Sequence, residues 1–295
     1  MSTRLRGLAR EILTLATPDR PDVAAAVAGT RLYLPDDPLT RPAPTGPTSA
    51  VPAPAGPASA VPAPAGRVPE VPAPVDPAWV GPASAGAAPV VTVTGESSLA
   101  ATARLAGDVA CLVFASARHP GGGFLNGAQA QEESIARGSA LYHCLLAARP
   151  FYDHHRQSTS LLYTDRVIYS PAVPVFRDAR DELLAAPYPV TFLTCAAPNL
   201  SAIRTNQPSS ADEVPAVLHR RAARVLRVAA AHGHRRLVLG AWGCGVFGND
   251  PSVVAGAFAA ALQSVPHFDE IVFAVLDRPG GATRAAFDQV FPAGP

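Results

Sequence analysis

Two adjacent glutamates, Glu132 and Glu133, follow a glycine-rich stretch and could perform acid–base chemistry. They lie near the end of the run RHPGGGFLNGAQAQEES. Seven residues separate its triple glycine, Gly121–Gly123, from QEE. A glutamate can donate a proton to a leaving group and later accept one, as general acid–base catalysis requires. Glycines let a ligand approach the backbone closely, and the amides of such a turn can bind an anion. Taken separately, the glycines also fit a tight turn, and the glutamates also fit the positive end of a helix dipole.

A second glycine-rich stretch, GAWGCGVFGNDP, spans residues 240–251 and lies between an apolar run and a helical pattern. A strand, a glycine-rich loop and a helix N-terminus can together bind a diphosphate through backbone amides. The spacing matches neither the P-loop nor the GxGxxG dinucleotide motif. A loop that needs glycine only for packing is an equally good interpretation of this stretch alone.

Apolar runs alternate with helical patterns along most of the chain. Strands are predicted at 90–93, 109–116, 166–171, 190–196, 236–242 and 270–277, and helices at 4–16, 97–107, 130–148, 212–232, 251–264 and 280–291. This alternation predicts a three-layer α/β fold with a largely parallel sheet. Ligands bind such sheets at the carboxyl ends of the strands, where both glycine-rich loops are expected.

Three parts are predicted along the chain. Residues 1–40 form a helical segment that packs on the core, and 90–295 form the catalytic domain. Residues 41–89 are rich in Pro and Ala and contain the tandem decapeptides TSAVPAPAGP and ASAVPAPAGR. Because proline removes backbone donors and fixes φ, this insertion is predicted to be disordered and rich in polyproline II. It could act as a spacer or as a ligand for an aromatic groove.

Composition excludes several classes of protein. The formal net charge is +1, so the strongly basic balance of many duplex nucleic-acid-binding domains is missing. The four cysteines form no CxxC pair, so neither a zinc site nor a disulfide framework is expected, and they are interpreted as buried apolar residues. No apolar run approaches the ~18 residues of a membrane helix, and no signal-peptide pattern opens the chain. A cytoplasmic protein without membrane partners is expected.

The combination of GGG, seven residues and QEE resembles the signature of poly(ADP-ribose) glycohydrolases, and GGGFLNGAQAQEES resembles their bacterial-type branch. The resemblance covers residues 90–291 and a short N-terminal helical segment. It implies a macrodomain fold, in which a mixed, largely parallel sheet lies between helices, and it implies ADP-ribose binding. The implied activity is hydrolysis of the ribose–ribose O-glycosidic bonds of poly(ADP-ribose), releasing ADP-ribose from chain ends, with no metal or other cofactor.

Carried onto this sequence, the resemblance implies that Glu133 is the catalytic carboxylate and that Glu132 orients the ribose at the scissile bond. Gln131 would support the loop, and Asn126 would bind substrate or shape the loop. The glycines at 121–123 would pack against the ribose and the diphosphate. Because adjacent helical residues point about 100° apart, the two glutamates cannot flank opposite faces of one sugar. A mechanism with one carboxylate, acting first as acid and then as base, is therefore expected.

In the second loop the resemblance implies a diphosphate site at Gly243, Gly245 and Gly248. Val246 would contribute backbone contacts, and Phe247 would place its ring near ribose or adenine. Core packing is the alternative role for Phe247.

Weaker expectations concern several other positions. Macrodomains place an acid near the first strand to bind adenine, which suggests Glu96. A role for Glu96 as an acid near a helix cap is equally compatible, and Thr94 or Ser97 could be the cap. His232 and His234 flank a glycine at a helix end, where exposure is expected. The arginines of the 212–232 helix, including Arg221, are expected to form a solvated face.

Two other functions remain open at this point. A non-catalytic macrodomain that binds ADP-ribose would keep both loops but lack a working acid. An interaction protein would act through the Pro-rich insertion instead. For the enzyme, the expected partners are poly(ADP-ribose), ADP-ribose and poly(ADP-ribosyl)ated proteins, with the chain working as a monomer.

Overall fold

The computed structural model describes residues 2–39, 88–278 and 280–292. The predicted insertion at 41–89 lies outside the described residues, apart from its last two positions. Its disorder therefore stays a prediction.

The N-terminal segment contributes two helices and a strand to the fold. They are α1 Thr3–Leu15, α2 Pro21–Gly29 and β1 Arg31–Tyr33. The predicted first helix is confirmed, and its buried residues Leu5 and Ile12 face the core. The sequence analysis did not predict α2 or β1. Strand β1 joins the edge of the sheet, so this segment is part of the fold.

The remainder of the chain alternates strands and helices. The strands are β2 Val90–Thr94, β3 Ala110–Phe114, β4 Val167–Arg177, β5 Leu183–Cys195, β6 Arg236–Leu239 and β7 Glu270–Ala274. The helices are α3 Ser98–Leu105, α4 Gln131–Gly138, α5 Leu141–Ala147, α6 Arg149–Gln157, α7 Leu200–Asn206, α8 Val214–Ala231, α9 Pro251–Ser264 and α10 Ala282–Val290.

The strands form one mixed sheet in the order β1-β4-β5-β3-β6-β7-β2. The five strands from β5 to β2 in this order run parallel, whereas β4 is antiparallel to both β5 and β1. Successive residues of β3 alternate between two cores: Cys111 packs with helices α1–α6 and Leu112 with α7–α10. The predicted three-layer α/β macrodomain architecture is confirmed.

The helix predicted over 130–148 is interrupted, which corrects the sequence analysis. Ser139 is extended (φ −143°, ψ 173°) and forms a β-bridge with Val175 of β4. The amide of Ala140 then donates to the carbonyl of Pro174 at 3.0 Å. Pairing with a distant strand therefore takes the backbone hydrogen bonds that would have continued the helix, and α4 ends before α5 begins.

The expectation of a solvated arginine face on α8 is wrong at Arg221, which is fully buried. Its guanidinium donates to Oδ1 of Asp165 at 2.8 Å and to the carbonyls of Ala196 at 2.7 Å and Leu162 at 2.9 Å. The neighbouring Arg220 also pairs with Asp165, but its side chain is 55% exposed. A buried charge is tolerated when it is paired and hydrogen-bonded, and Arg221 meets both conditions.

The expectation of exposed histidines at the end of α8 is also wrong. His234 is buried, within hydrogen-bonding distance of Tyr169 Oη at 3.1 Å and Asp108 Oδ1 at 2.8 Å. His232 is half-buried and stacks on the ring of Tyr169 with centroids 3.5 Å apart. Strands β1 and β4 cover this end of the helix, which is why exposure is lost. Of the cysteines, three are buried as expected and Cys244 is partly exposed.

The buried histidine of α6 predicts a loss of stability in mild acid. His155 donates from Nδ1 to the carbonyl of Phe151 (2.8 Å), and its Nε2 accepts from the amide and hydroxyl of Thr164 (3.2 and 2.8 Å). Burial lowers the pKa of His155 from 6.5 to about 4. Between these values the unfolded chain binds a proton that the folded chain does not. The free energy of unfolding should therefore fall as pH falls through this window, by up to about 1.4 kcal/mol per pH unit.

Urea unfolding at several pH values from 7 to 4.5 measures this effect. His155→Gln, which carries no titrating ring, should be less stable at pH 7 but should show a flatter dependence on pH. Equal pH dependence in the two proteins would contradict the assignment to His155.

Candidate active site

Gln131 fastens the start of α4 to the end of β3. Its Oε1 accepts from the amide of Phe114 at 2.9 Å, and its Nε2 donates to the carbonyl of Leu112 at 2.7 Å. The same Nε2 also donates to Oγ of Ser98 in the first turn of α3, at 3.0 Å. The amide therefore satisfies backbone groups at the end of a central strand. This clamp fixes where the next two residues, both glutamates, lie.

Glu132 is buried, with only 3% of its surface exposed. Its Oε2 accepts from the amide of Ser116 at 2.6 Å, and Oε1 has no hydrogen-bond partner among the described residues. Burial raises the pKa of Glu132 well above its ordinary value, and the nearby Glu133 carboxylate raises it further, against the effect of the Ser116 amide. The shift favours the neutral form of the side chain, and Oε1 is left for a ligand.

Glu133 is half-buried and lies over the glycine turn. Its Oε1 accepts from the amide of Gly123 at 3.0 Å. Gly122, directly below, has φ +59°, and a Cβ at that position would collide with Oε1 of Glu133. The triple glycine thus allows the carboxylate to rest on the backbone of the loop.

Gly122→Ala should therefore displace the Glu133 carboxylate. If Glu133 is the catalytic group, misplacement by about 1 Å is expected to lower the turnover number by roughly 10²-fold. Gly233→Ala is a matched control, because Gly233 has φ +81° but no atom within 4 Å of the point where a methyl group would stand, and it lies beyond α8. Measured kcat should fall in the first variant and not in the control. Equal kcat in both variants would contradict the role of Gly122.

The second glycine loop connects β6 to α9. Gly243 and Gly248 have positive φ angles of +73° and +66°. Asn249 closes the loop, because its amide donates to the carbonyl of Gly243 at 3.0 Å and its side chain donates to the carbonyl of Pro198 at 3.0 Å. Asp250 caps α9 by accepting from the amide of Ser252 at 2.8 Å. The bonds of Asn249 therefore close the loop that contains residues 244–248.

The two loops enclose a cleft with two adjoining lobes at the carboxyl ends of β3, β6 and β7. The smaller lobe has a volume of about 290 Å³ and is lined by Glu132, Glu133 and Phe247, among others. The larger lobe, about 470 Å³, extends from the start of α3 to the end of β7 and the start of α10. Phe114 and Gln131 line both lobes, so the cleft is continuous.

Most of the predicted site residues meet at this cleft. Gln131, Glu132 and Glu133 line it from one side, and the second loop lines it from the other. The predicted residues of that loop at the cleft are Gly243, Gly245, Val246 and Phe247. Gly122 and Gly123 lie beneath Glu133, and Gly121 packs against Phe124. These three glycines and Gly248 support the two loops but line neither lobe.

Two predicted residues lie elsewhere. Asn126 is exposed at the end of a 3₁₀ turn and lines neither lobe. Glu96 also lines neither lobe, and its carboxylate forms an ion pair with Arg104 at 2.6 Å. Ser97 caps α3 by accepting from the amide of Ala100, which fits the alternative role considered for this region.

A family model of the microbial-type poly(ADP-ribose) glycohydrolase (PARG) catalytic domain matches residues 18–178 of the chain. The chain belongs to this family. Its structure is similar to that of poly(ADP-ribose) glycohydrolase from Thermomonospora curvata, with a TM-score of 0.78, 42% identity, and coverage of 98% of this chain and 100% of that chain. No curated protein sequence matched the chain.

Ligand-bound members of the PARG family are also similar to the chain. The enzyme from Deinococcus radiodurans in complex with ADP-ribose has a TM-score of 0.75 and 40% identity, with 92% of this chain and 98% of that chain covered. The Thermomonospora curvata enzyme bound to the inhibitor ADP-HPD has a TM-score of 0.75 and 40% identity, covering 98% and 99%.

Several residues of this PARG cleft were missed by sequence reasoning. Trp242 is buried beneath the smaller lobe and donates to the carbonyl of Cys195 at 3.0 Å. Arg137, which is 2% exposed, and Asp277 line the larger lobe. The position of Arg137 one helical turn after Glu133 was an available signal. Asp277 follows the last strand, as ligand-binding residues of α/β folds often do.

Among the described residues, no group of His, Cys, Asp and Glu side chains could hold a metal ion. In the same part of the chain, no helix is both long and apolar enough to cross a membrane.

Proposed function

We propose that this protein hydrolyses the ribose–ribose O-glycosidic bonds of poly(ADP-ribose), with Glu133 as the catalytic carboxylate, and releases ADP-ribose from chain ends. The observation that carries the proposal is the placement of Glu133. Its carboxylate is held by the Gly123 amide inside the smaller lobe, opposite the second glycine loop. Family membership and the ADP-ribose complex of the Deinococcus radiodurans relative support the same substrate.

Glu133 acts first as an acid. It protonates the bridging oxygen as the bond from that oxygen to the anomeric carbon breaks, which leaves a hydroxyl on the shortened polymer and an oxocarbenium-like ribose. Water then attacks the anomeric carbon and gives its proton to the ionised Glu133. The products are ADP-ribose and a polymer that is one unit shorter, and the glutamate regains its starting proton.

Glu132 orients the ribose in this scheme. Its Oε2 is occupied by the Ser116 amide, whereas Oε1 is buried and unpartnered among the described residues, which suits a hydrogen bond with a ribose hydroxyl. Because burial favours the neutral form of Glu132, negative charge beside the substrate diphosphate is reduced. The two neighbouring glutamates therefore take different roles, set by their different burial.

The rest of ADP-ribose follows the cleft. The diphosphate lies along Gly243–Gly248, where backbone amides of the glycine-rich loop can bind an anion. Val246 is 84% exposed at the cleft edge and offers its backbone, while Phe247 lies against the ribose. The larger lobe, with Ser98 and Asp277 on its walls, receives the adenosine half. The carboxylate of Glu96 is paired with Arg104 and lines neither lobe, so its direct contact with adenine stays a prediction.

The biological partners follow from the substrate. The protein acts on poly(ADP-ribosyl)ated proteins as a monomer, since one chain supplies both walls of the cleft. A cytoplasmic location is supported by its four free cysteines, which are typical of a reducing compartment. The net charge of +1 gives no support for binding to duplex nucleic acid.

Incubation of the purified protein with poly(ADP-ribose), followed by measurement of free ADP-ribose over time, tests the proposal. Release of ADP-ribose as the free product from the earliest time points, while the polymer shortens gradually, is the expected result for cleavage at chain ends. Early accumulation of oligomers would show internal cleavage instead. A protein that binds ADP-ribose but leaves the polymer intact would be a non-catalytic reader.

A further inference from the structure

The turn that precedes β4 contains a tyrosine in an unusual backbone conformation. Tyr163 has φ +58°, in the left-handed region that bulky L-residues rarely adopt. Among the described residues, eight glycines and three other non-glycine residues, Ala106, Ala172 and Asp181, also have positive φ, but none of them carries a side chain as large as tyrosine. Backbone outliers of this kind persist only where surrounding contacts enforce them, and they occur often at functional sites.

Buried side chains hold the residues on both sides of Tyr163. On one side, Nη2 of Arg221 donates to the carbonyl of Leu162 at 2.9 Å. On the other, the amide and hydroxyl of Thr164 lie 3.2 and 2.8 Å from Nε2 of His155. Arg221 and His155 are both fully buried. The backbone of Tyr163 is therefore fixed from two directions by elements of different layers of the fold.

The fixed turn places the Tyr163 ring against Phe247 of the second glycine loop. The two ring centroids are 6.3 Å apart and the planes are inclined by 47°, within the usual range for aromatic pairs. The ring of His155 contacts Tyr163 edge-on, with centroids 5.7 Å apart. Phe247 lines the smaller lobe together with Glu133, whereas Tyr163 lines neither lobe. The tyrosine thus stands behind Phe247, away from the reacting atoms.

We propose that Tyr163 is a positioning residue that holds the Phe247 ring at the wall of the reaction lobe. This inference rests on the proposed function, because it takes the ribose of ADP-ribose as the group that Phe247 contacts. The backbone of Phe247 is held separately, since its carbonyl accepts from the amide of Ser201 at 2.9 Å. That bond fixes the backbone of the loop but does not set the direction of the ring, which packs against the core on the α7–α10 side and against Tyr163.

A double-mutant cycle with monomeric ADP-ribose tests the proposal, using calorimetric titration of wild type, Tyr163→Gly, Phe247→Ala and the double variant. Phe247→Ala is expected to weaken binding about tenfold, as loss of one aromatic contact does. Tyr163→Gly should weaken binding about threefold to tenfold. The double variant should bind no more weakly than Phe247→Ala, because without the Phe247 ring Tyr163 has nothing to position.

Two further variants separate the ring from the backbone. Tyr163→Ala also removes the ring but keeps a Cβ in the left-handed region, so it should match the glycine variant in affinity and differ from it in thermal stability. Tyr163→Phe keeps the ring and should bind about as the wild type does. Wild-type affinity in Tyr163→Gly, or a double variant whose loss is the product of the two single losses, would overturn the proposal.

The titration measures the affinity for ADP-ribose and does not depend on catalysis. It therefore distinguishes this inference from the proposed activity. If wild type binds ADP-ribose without cleaving polymer, the activity is disproved while the cycle still decides the role of Tyr163. If wild type cleaves polymer and the cycle is additive, the activity stands and the positioning role fails.

Discussion

Glu133→Gln is expected to lower the rate of ADP-ribose release from poly(ADP-ribose) by about 10²–10⁴-fold, the usual contribution of a general acid–base group. Glutamine keeps the size and shape of the side chain and can still meet the Gly123 amide through its carbonyl oxygen. It cannot give a proton to the leaving oxygen or take one from water. ADP-ribose binding should therefore be retained, and the loss should fall on kcat.

Single-turnover release of ADP-ribose measures the loss of catalytic rate, and calorimetric titration measures whether ADP-ribose binding is retained. Glu132→Gln is the matched variant at the adjacent residue. Because burial favours the neutral form of Glu132, its amide replacement is expected to change the charge of the site little, and a smaller loss is expected. Unchanged turnover in Glu133→Gln would disprove the one-carboxylate mechanism. A larger loss in Glu132→Gln would move the proton-transfer role to that residue.

Arg221→Met is expected to reduce the free energy of unfolding by about 3–5 kcal/mol, the usual cost of breaking a buried ion pair by removing one partner. Methionine fills part of the space but cannot replace the bonds to Asp165, Ala196 and Leu162. These three acceptors are left with fewer partners inside the protein. Urea unfolding at pH 7 measures the change.

Arg220→Met is the matched control, because Arg220 pairs with the same Asp165 carboxylate from an exposed position. Loss of the Arg220 ion pair should reduce the free energy of unfolding by about 0–1 kcal/mol, as is usual for exposed ion pairs. Equal destabilisation by the two substitutions would show that burial of Arg221 does not set its contribution. Since Arg221 also holds the carbonyl before Tyr163, its loss should weaken ADP-ribose binding as well.

Local patterns in the sequence predicted several residues that meet at the cleft, because these residues are close together in the chain. The spacing from the triple glycine to Glu133 is ten residues along one loop, and in the structure Gly123 donates to that carboxylate. The second loop is equally local, since Asn249 closes it onto Gly243. Glu96 was a weaker prediction because its carboxylate pairs with Arg104, and this contact depends on where helix α3 places the arginine.

Contacts between residues distant in the sequence account for what was missed. Strand β1 was not predicted because its three residues become a strand only by pairing with β4, more than a hundred positions later. The break between α4 and α5 likewise depends on β4, through the bridge from Ser139 to Val175. The burial of Arg221 requires Asp165 and two carbonyls from separate segments. Patterns of period and propensity carry no information about such partners.

The sequence by itself determined the α/β class, the two glycine-rich loops and the pair of glutamates, because hydrophobic periodicity and short-range spacing encode these features directly. The tertiary structure decided which of the two glutamates is buried and which is half-buried, where the two lobes meet, and that Tyr163 lies behind Phe247. Those features depend on desolvation and on packing between separate elements. Both arise only when the sheet and its two helical layers bring distant residues together.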